Sequence, residues 1–383
     1  DFNVNKHDVK ICIRSLKNKS SASFDNVSNK MIKLMPEGLH ELLALVYNRL
    51  FQFAFWGDEW KRARVICLNK TDKPTPSTNQ LRPISILPAF SKIYERLFLK
   101  FFNIWVKKNN IIPPQQSGAT QRQSTTSRVN FLLEQLHQAE RISSFTPVVY
   151  VDFLQAFDLL WPQGLILKLK NLGCPFQFLL WLANYFKNRS IRIKYEEVIS
   201  PIIEVCRGTP QGSVLGPILY VICHHDLPTI FQTPANVHAY VDDIAIVYPP
   251  AMNHKHKAQV LEVEDRINHD LTQLLQYSND WHQPLNPLKT ELVVYHKSVQ
   301  CSKLQVKFDG IIIEQKKIFK YLGFSLDGKL SFRRLIDAQF LKLKKSFAIM
   351  KHIHNQFQSA ISLKLKFFQA YVWPHMFMMS SIY

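Results

Sequence analysis

The sequence has 383 residues, 46% of them hydrophobic and 20% charged, ample apolar material for a multi-lobed globular protein with a buried core. Its 48 Lys+Arg against 29 Asp+Glu leave a formal charge of +19, a balance that suits a polyanionic partner such as nucleic acid. No stretch approaches the roughly 18 to 20 uninterrupted apolar residues of a spanning helix, and no secretory leader opens the chain, so an intracellular protein without membrane partners is expected. Cys12, Cys67, Cys174, Cys206, Cys223 and Cys301 are scattered with no Cys-x-x-Cys pair, which fits neither a disulfide framework nor a zinc site, and they read as reduced core thiols.

The chain opens on Asp1 and goes straight into helical spacing at Val9, Ile13 and Leu16, as expected of a segment excised from a longer product. Leu39, Leu42, Leu43, Val46, Leu50 and Phe53 recur at three- and four-residue intervals, which predicts a helix whose one apolar face is core and which ends near Gly57. Residues 61–69 read as a strand, 70–79 as a polar, Pro-broken loop, and a returning strand begins at Leu81. Lys70 and Arg82 therefore stand at the two ends of one loop, where they could converge on a phosphate chain, Lys as a point charge and Arg as a bidentate fork. A surface strand could also carry both idly. Residues 111–127 form a loop whose Ser124-Thr125-Thr126 supplies capping chemistry for a helix through Val129, Leu132, Leu133 and Leu136.

Residues 146–153 are an apolar strand pattern ending in Asp152, which can cap the following segment or serve as a ligand at a strand end. Leu165 to Leu172 and Phe176 to Phe186 read as two short helices. In the strand Ile191 to Tyr195, alternation puts Arg192 and Lys194 on one face, to track a template backbone or to guard a solvated edge strand. Arg207 to Pro217 is a Gly/Pro-punctuated turn running into an apolar helix, and Cys223-His224-His225-Asp226 reads as a helix end rather than a chelate.

Residues 237–248 are an apolar, β-branched and aromatic run with Asp242 and Asp243 at its middle, two short strands joined by a tight turn. Buried unpaired anions cost several kcal/mol each. The flanks are too apolar for a solvent-washed hairpin, so the tip is expected to project into a cleft and bind a hard cation such as magnesium, with a further carboxylate from the strand ending at Asp152. A charged helix follows from about 256 to 280. From Gly328 onward there are nine Lys+Arg against one acid, Asp337, or +8 in the last 56 residues. Ile336, Phe340, Leu343, Phe347 and Met350 form a helical stripe for packing that leaves the lysines, Lys342 and Lys345 among them, outward to grip a duplex backbone.

Asp152 with Phe157 and Asp158, the block Thr209-Pro210-Gln211-Gly212-Ser213-Val214-Leu215-Gly216-Pro217, and Tyr240-Val241-Asp242-Asp243 together resemble the palm motifs of reverse transcriptases, most closely those of jockey-like non-LTR retrotransposons. Arg82-Pro83-Ile84-Ser85 with Ser91 to Glu95 resembles the family's fingers motif, Asn286, Lys289 and Thr290 another motif, and Phe319-Lys320-Tyr321-Leu322-Gly323 the primer-grip hairpin. The chain departs from the pattern at Ala22 and Ser23, where the family has Pro and Gly, and at Gly118-Ala119-Thr120, where it has Gly-Phe-Arg. Arg122 could stand in for the missing cation.

The resemblance implies an α+β right-hand polymerase with fingers over 1–145, a palm over 146–325 with a fingers-like insertion near 162–205, and a basic helical thumb over 326–383 whose truncation the sequence leaves open. It implies an RNA-directed DNA polymerase working on an RNA template, a DNA primer and deoxynucleoside triphosphates, as a ribonucleoprotein of cytoplasm and nucleus. Asp152, Phe153, Asp242 and Asp243 would hold two Mg²⁺ ions, with Mn²⁺ able to substitute. Lys70, Arg82, Phe157, Gln211, Gly212 and Lys289 would bind the nucleotide, with Phe157 blocking a ribose 2′-hydroxyl. Tyr321, Leu322, Gly323, Arg192, Lys194, Lys342 and Lys345 would contact primer and template. The rivals are an RNA-dependent RNA polymerase, which Phe157 disfavours, and an inactive RNA-binding descendant, which the altered loops favour and the intact carboxylates oppose. No endonuclease or RNase H segment is recognisable.

Overall fold

The computed structural model describes residues 2–70, 77, 80–251, 255–298, 301–357 and 361–380. They are of the α+β class and divide into two compact units whose segments alternate along the chain, the first of residues 1–113, 153–227 and 277–284, the second of residues 114–152, 228–276 and 285–383.

In the first unit the Lys6–Ser15 helix starts where Asn5 and Asp8 exchange capping bonds, and Val9 and Ile13 are buried as their spacing predicts. The Gly38–Gln52 helix forms, but with a different face inward: His40, Ala44, Tyr47 and Phe51 are buried, whereas Leu39, Leu42, Val46 and Phe53 are exposed. Aromatic packing decides this. Tyr47 stacks 5.7 Å from Tyr94, Phe51 lies 4.5 Å from the same ring, and Trp181 stacks on Phe98 at 3.8 Å. An aromatic side chain buries about 150–250 Å², so seating two of them outweighs seating the leucine stripe one position away.

The sheet of this unit runs in the order Leu81–Ile86, Arg62–Asn69, Arg189–Tyr195, Val198–Ile199, with Ile203–Val205 also pairing to Arg189–Tyr195. Because Arg189–Tyr195 lies between Arg62–Asn69, to which it is parallel, and antiparallel partners, the solvated-edge alternative for Arg192 and Lys194 does not hold. The Gly216–Cys223 helix ends as expected, and just past it Asp226 accepts from buried Lys168 at 2.6 Å and from the Tyr277 hydroxyl at 2.7 Å.

The second unit is built on the Phe145–Val151 strand, whose seven residues are all buried, as the near-continuous apolar run requires. It is the middle of a five-stranded sheet in the order Gln315–Lys316, Glu291–His296, Phe145–Val151, Asp243–Val247, Val237–Tyr240, antiparallel except for the short first pair. Val129, Leu132, Leu133 and Leu136 of the Thr125–Ile142 helix pack in one cluster with Val148, Tyr150, Ala245 and Val293 of the sheet. That helix begins with the predicted Ser124 cap.

The basic C-terminal segment holds the Arg333–Phe357 helix, and here the packing stripe is also displaced. Leu335, Gln339 and Leu343 are buried, while Phe340 and Phe347 are exposed. Gln339 is drawn inward because its amide meets His375 Nδ1 at 3.0 Å and Met378 Sδ at 3.0 Å. The cysteines are free, but not all are core thiols: Cys206 is exposed and Cys67 and Cys301 are half-buried. Among the described residues no helix is long and apolar enough to cross a membrane.

Candidate active site

The acidic hairpin forms as its pattern predicts. Val237–Tyr240 and Asp243–Val247 pair antiparallel, with Tyr240 opposite Asp243 and residues 241 and 242 at the turn. In the neighbouring strand Val151 pairs with Ile244, so Asp152, one residue further, emerges at the same end of the sheet as Asp243. The turn is strained: Val241 has φ of 58°, and a β-branched residue in the left-handed region costs of order 1–3 kcal/mol.

The electrostatics are those of an anion cluster. Asp243 is pushed up to about 6, first by loss of solvent around its carboxyl and then by the charges of Asp242 and Asp152. Asp242 is also raised, mainly by desolvation and further by Asp152. Lys289 Nζ lies 3.8 Å from Asp152 Oδ2. Asp152 is also held from behind, its carbonyl accepting from Asn286 N at 2.8 Å. The donor set is carboxylate oxygen throughout, which fits a hard divalent cation. Yet among the described residues no group of three His, Cys, Asp or Glu side chains is gathered closely enough to grip a metal.

In the first unit, Phe153 is buried, its ring stacked 5.6 Å from His224, so only its main chain is available to a metal. Phe157 is half-buried, with its ring 5.5 Å from Tyr220 and its carbonyl accepting from Thr209 N at 2.8 Å. Gln211 donates to the Asp158 carboxylate at 2.7 Å, and its carbonyl accepts from Ser85 N at 2.9 Å. At Gly212 a Cβ would fall 2.3 Å from the Ser85 carbonyl oxygen and φ is 141°, so the turn can approach the Leu81–Ile86 strand only with glycine there.

The anchor of this turn is not legible from sequence spacing. Glu95, fully buried, accepts from Ser213 Oγ at 2.6 Å and Val214 N at 2.7 Å. Burial pushes its carboxyl up, and Ser213 pulls against that. The available signal was an acid within the apolar stretch of the Ala89–Lys108 helix. Lys70 and Arg82 lie at the base of one hairpin as expected, Leu68 pairing with Arg82 and Lys70 N donating to Gln80 O at 2.8 Å. Of the loop between them, residues 71–76, 78 and 79 lie outside the described residues.

Residues 68–326 match the family model described as reverse transcriptase (RNA-dependent DNA polymerase), about two-thirds of the chain. The chain belongs to the reverse transcriptase family. It is 31% identical over 361 residues to the probable RNA-directed DNA polymerase from transposon BS of Drosophila melanogaster, covering 92% of this chain and 39% of that protein. It is 30% identical over 346 residues to the RNA-directed DNA polymerase from mobile element jockey of the same species, covering 87% of this chain and 36% of that one. The chain thus spans about two-fifths of the length of these jockey-like relatives. Among solved structures it resembles apo telomerase from Candida Tropicalis, with a TM-score of 0.46 and 11% identity over 78% of this chain and 60% of that one. The α+β right-hand polymerase class expected from the sequence stands with the family assignment.

The remaining residues of this reverse transcriptase domain divide by exposure. Ile318–Tyr321 and Phe324–Asp327 make a hairpin, with Leu322 and Gly323 at the turn, φ 48° and 89°. Tyr321, however, is 2% exposed and donates to His238 O at 3.2 Å. Its ring belongs to the core, so its main chain is the part open to a primer. Arg192 donates to Ser200 O at 3.0 Å and stacks over Phe24, and Lys194 faces Glu197 at 3.9 Å. Lys342 and Lys345 are exposed on the Arg333–Phe357 helix.

Proposed function

We propose that the chain is the polymerase portion of a retrotransposon protein and extends a DNA primer on an RNA template with deoxynucleoside triphosphates. The observation that supports this best is the meeting of Asp152, Asp242 and Asp243 at one end of adjacent strands, with carboxyls held above their ordinary range at two of the three. Two Mg²⁺ ions, replaceable by Mn²⁺, would activate the primer 3′-hydroxyl and stabilise charge on the transferred phosphoryl group. Asp152, Asp242 and the Phe153 carbonyl would hold them, with Asp243 assisting from the turn.

Lys70 and Arg82 would hold the triphosphate, and Lys289, close to Asp152, would move a proton to the leaving pyrophosphate. Phe157, Gln211 and Gly212 would seat the nucleotide, and the Leu322-Gly323 turn, the Tyr321 main chain, Arg192, Lys194, Lys342 and Lys345 would follow primer and template. Fingers over 1–145, palm over 146–325 and thumb over 326–383 are the functional lobes we assign, with the protein acting as a ribonucleoprotein in cytoplasm and nucleus. Primer extension with purified protein, comparing RNA and DNA templates and deoxy- and ribonucleotides, tests this. DNA synthesis on RNA is expected. Preference for ribonucleotides would identify an RNA polymerase, and RNA binding without extension an inactive descendant.

A further inference from the structure

Val241 stands immediately before the two acids in a backbone conformation that valine avoids, φ 58°. One side chain engages both of its main-chain groups. Gln116 Oε1 accepts from Val241 N at 2.8 Å, and Gln116 Nε2 donates to Val241 O at 3.2 Å. The same Oε1 accepts from Gly118 N at 2.6 Å, which fixes the amide in place. The segment carrying Gln116 is bound along the hairpin by Ala239 N donating to Gln115 O at 2.9 Å and Ser117 N donating to Ala239 O at 3.0 Å. Gly118 is buried against the turn so closely that a Cβ would fall 2.4 Å from both Val241 N and Val241 Cγ2.

These bonds are unlike ordinary loop packing, because a turn residue in the left-handed region has no ladder partner for its own N–H and C=O. A glutamine amide supplies one acceptor and one donor at the spacing of a peptide group. We propose that Gln116 is a positioning residue for Asp242 and Asp243: by clamping Val241 in its left-handed conformation it aims the two carboxylates, and Gly118 is the residue that lets the clamp close. The inference rests on reading that pair as metal ligands. It deepens that reading by assigning the geometry of the pair to a residue more than a hundred positions upstream, on another segment of the same compact unit.

A glutamine that merely packed a loop onto the sheet would affect stability alone. A clamp predicts a specific rescue, since glycine adopts positive φ without restraint. The test uses the full chain, with Mn²⁺ alone as the probe, followed by electron paramagnetic resonance without nucleic acid. Gln116→Met, which keeps the bulk and loses the amide, should weaken Mn²⁺ binding by about tenfold or more, and Gln116→Met/Val241→Gly should regain most of that loss, a coupling outside additive behaviour. In primer extension Gln116→Met should lower kcat by a comparable factor while leaving the KM for primer-template within about twofold.

Parental Mn²⁺ affinity in Gln116→Met, or a double variant no better than the single one, overturns the proposal. Hydrogen exchange of the unaltered protein tests it even if Gln116→Met fails to fold: the Val241 amide should be protected like the strand amides, and free exchange overturns the clamp. If the unaltered protein fails to extend primers, the proposed polymerase activity falls, whereas the Mn²⁺ and exchange results still decide the role of Gln116.

Discussion

The Gln211 side chain donates to the Asp158 carboxylate at 2.7 Å, tying the Gln-Gly turn to the residue that follows Phe157. With the Phe157 carbonyl held by Thr209 N, the main chain that follows that ring is fixed. A half-buried ring on a fixed main chain can act as a steric wall, whereas a core aromatic would be enclosed. Phe157→Val should therefore keep deoxynucleotide use within about tenfold, roughly 1.4 kcal/mol of barrier, and raise ribonucleotide incorporation by more than that factor. If the ring were only packing, the change would cost on the order of 1 to 3 kcal/mol of stability and depress both substrates alike. The kcat/KM for matched nucleotides, measured beside melting temperatures, separates the outcomes.

Asp243 makes a prediction about the metal-free protein. Its folded carboxyl is raised to about 6, above the unfolded value, so the folded state holds the proton more tightly and stability falls as pH rises from the unfolded value through about 6. Asp243→Asn, which removes the charge, should raise the melting temperature of the metal-free protein at neutral pH, with the gain disappearing in acid below the unfolded value. A thermal-shift series across pH without divalent ions measures it, and an equal effect at every pH would contradict the assigned cause.

A net charge of +19 predicts that affinity for a primer-template falls steeply with salt. Lys342 and Lys345 are exposed on one helix, and neutralising both should reduce the slope of log affinity against log salt by about one to two. Fluorescence anisotropy over a salt series gives the slopes. An unchanged slope in Lys342→Ala/Lys345→Ala would remove these residues from the duplex contact.

The acidic hairpin, the strand ending at Asp152 and the Ser124 cap were legible because each depends on local pattern: alternation, β-branching and a capping oxygen next to the element it serves. What could not be read was set by partners remote in sequence. The leucine spacing of the Gly38–Gln52 helix gave the element, but the rings of Tyr94 and Trp181 selected the face holding Tyr47 and Phe51. Gln339 was turned inward by His375 and Met378 in the same way. Tyr321 lay in a recognisable grip pattern, yet its burial under the sheet depends on His238 and Tyr150. Glu95 and Gln116 carry polar atoms to main-chain groups 119 and 125 positions away, respectively, and no spacing rule reaches that far.

In the proposed reaction Asp152 and Asp242 serve metal-dependent chemistry while the basic surface supplies affinity. The most direct measurement is primer extension on an RNA template by Asp152→Asn and Asp242→Asn proteins, with RNA binding measured on the same preparations. Extension should be lost in both and RNA affinity should stay within about twofold of the unaltered protein, since the removed charge is local to the carboxylate cluster. Full extension by either variant would contradict the proposed reaction.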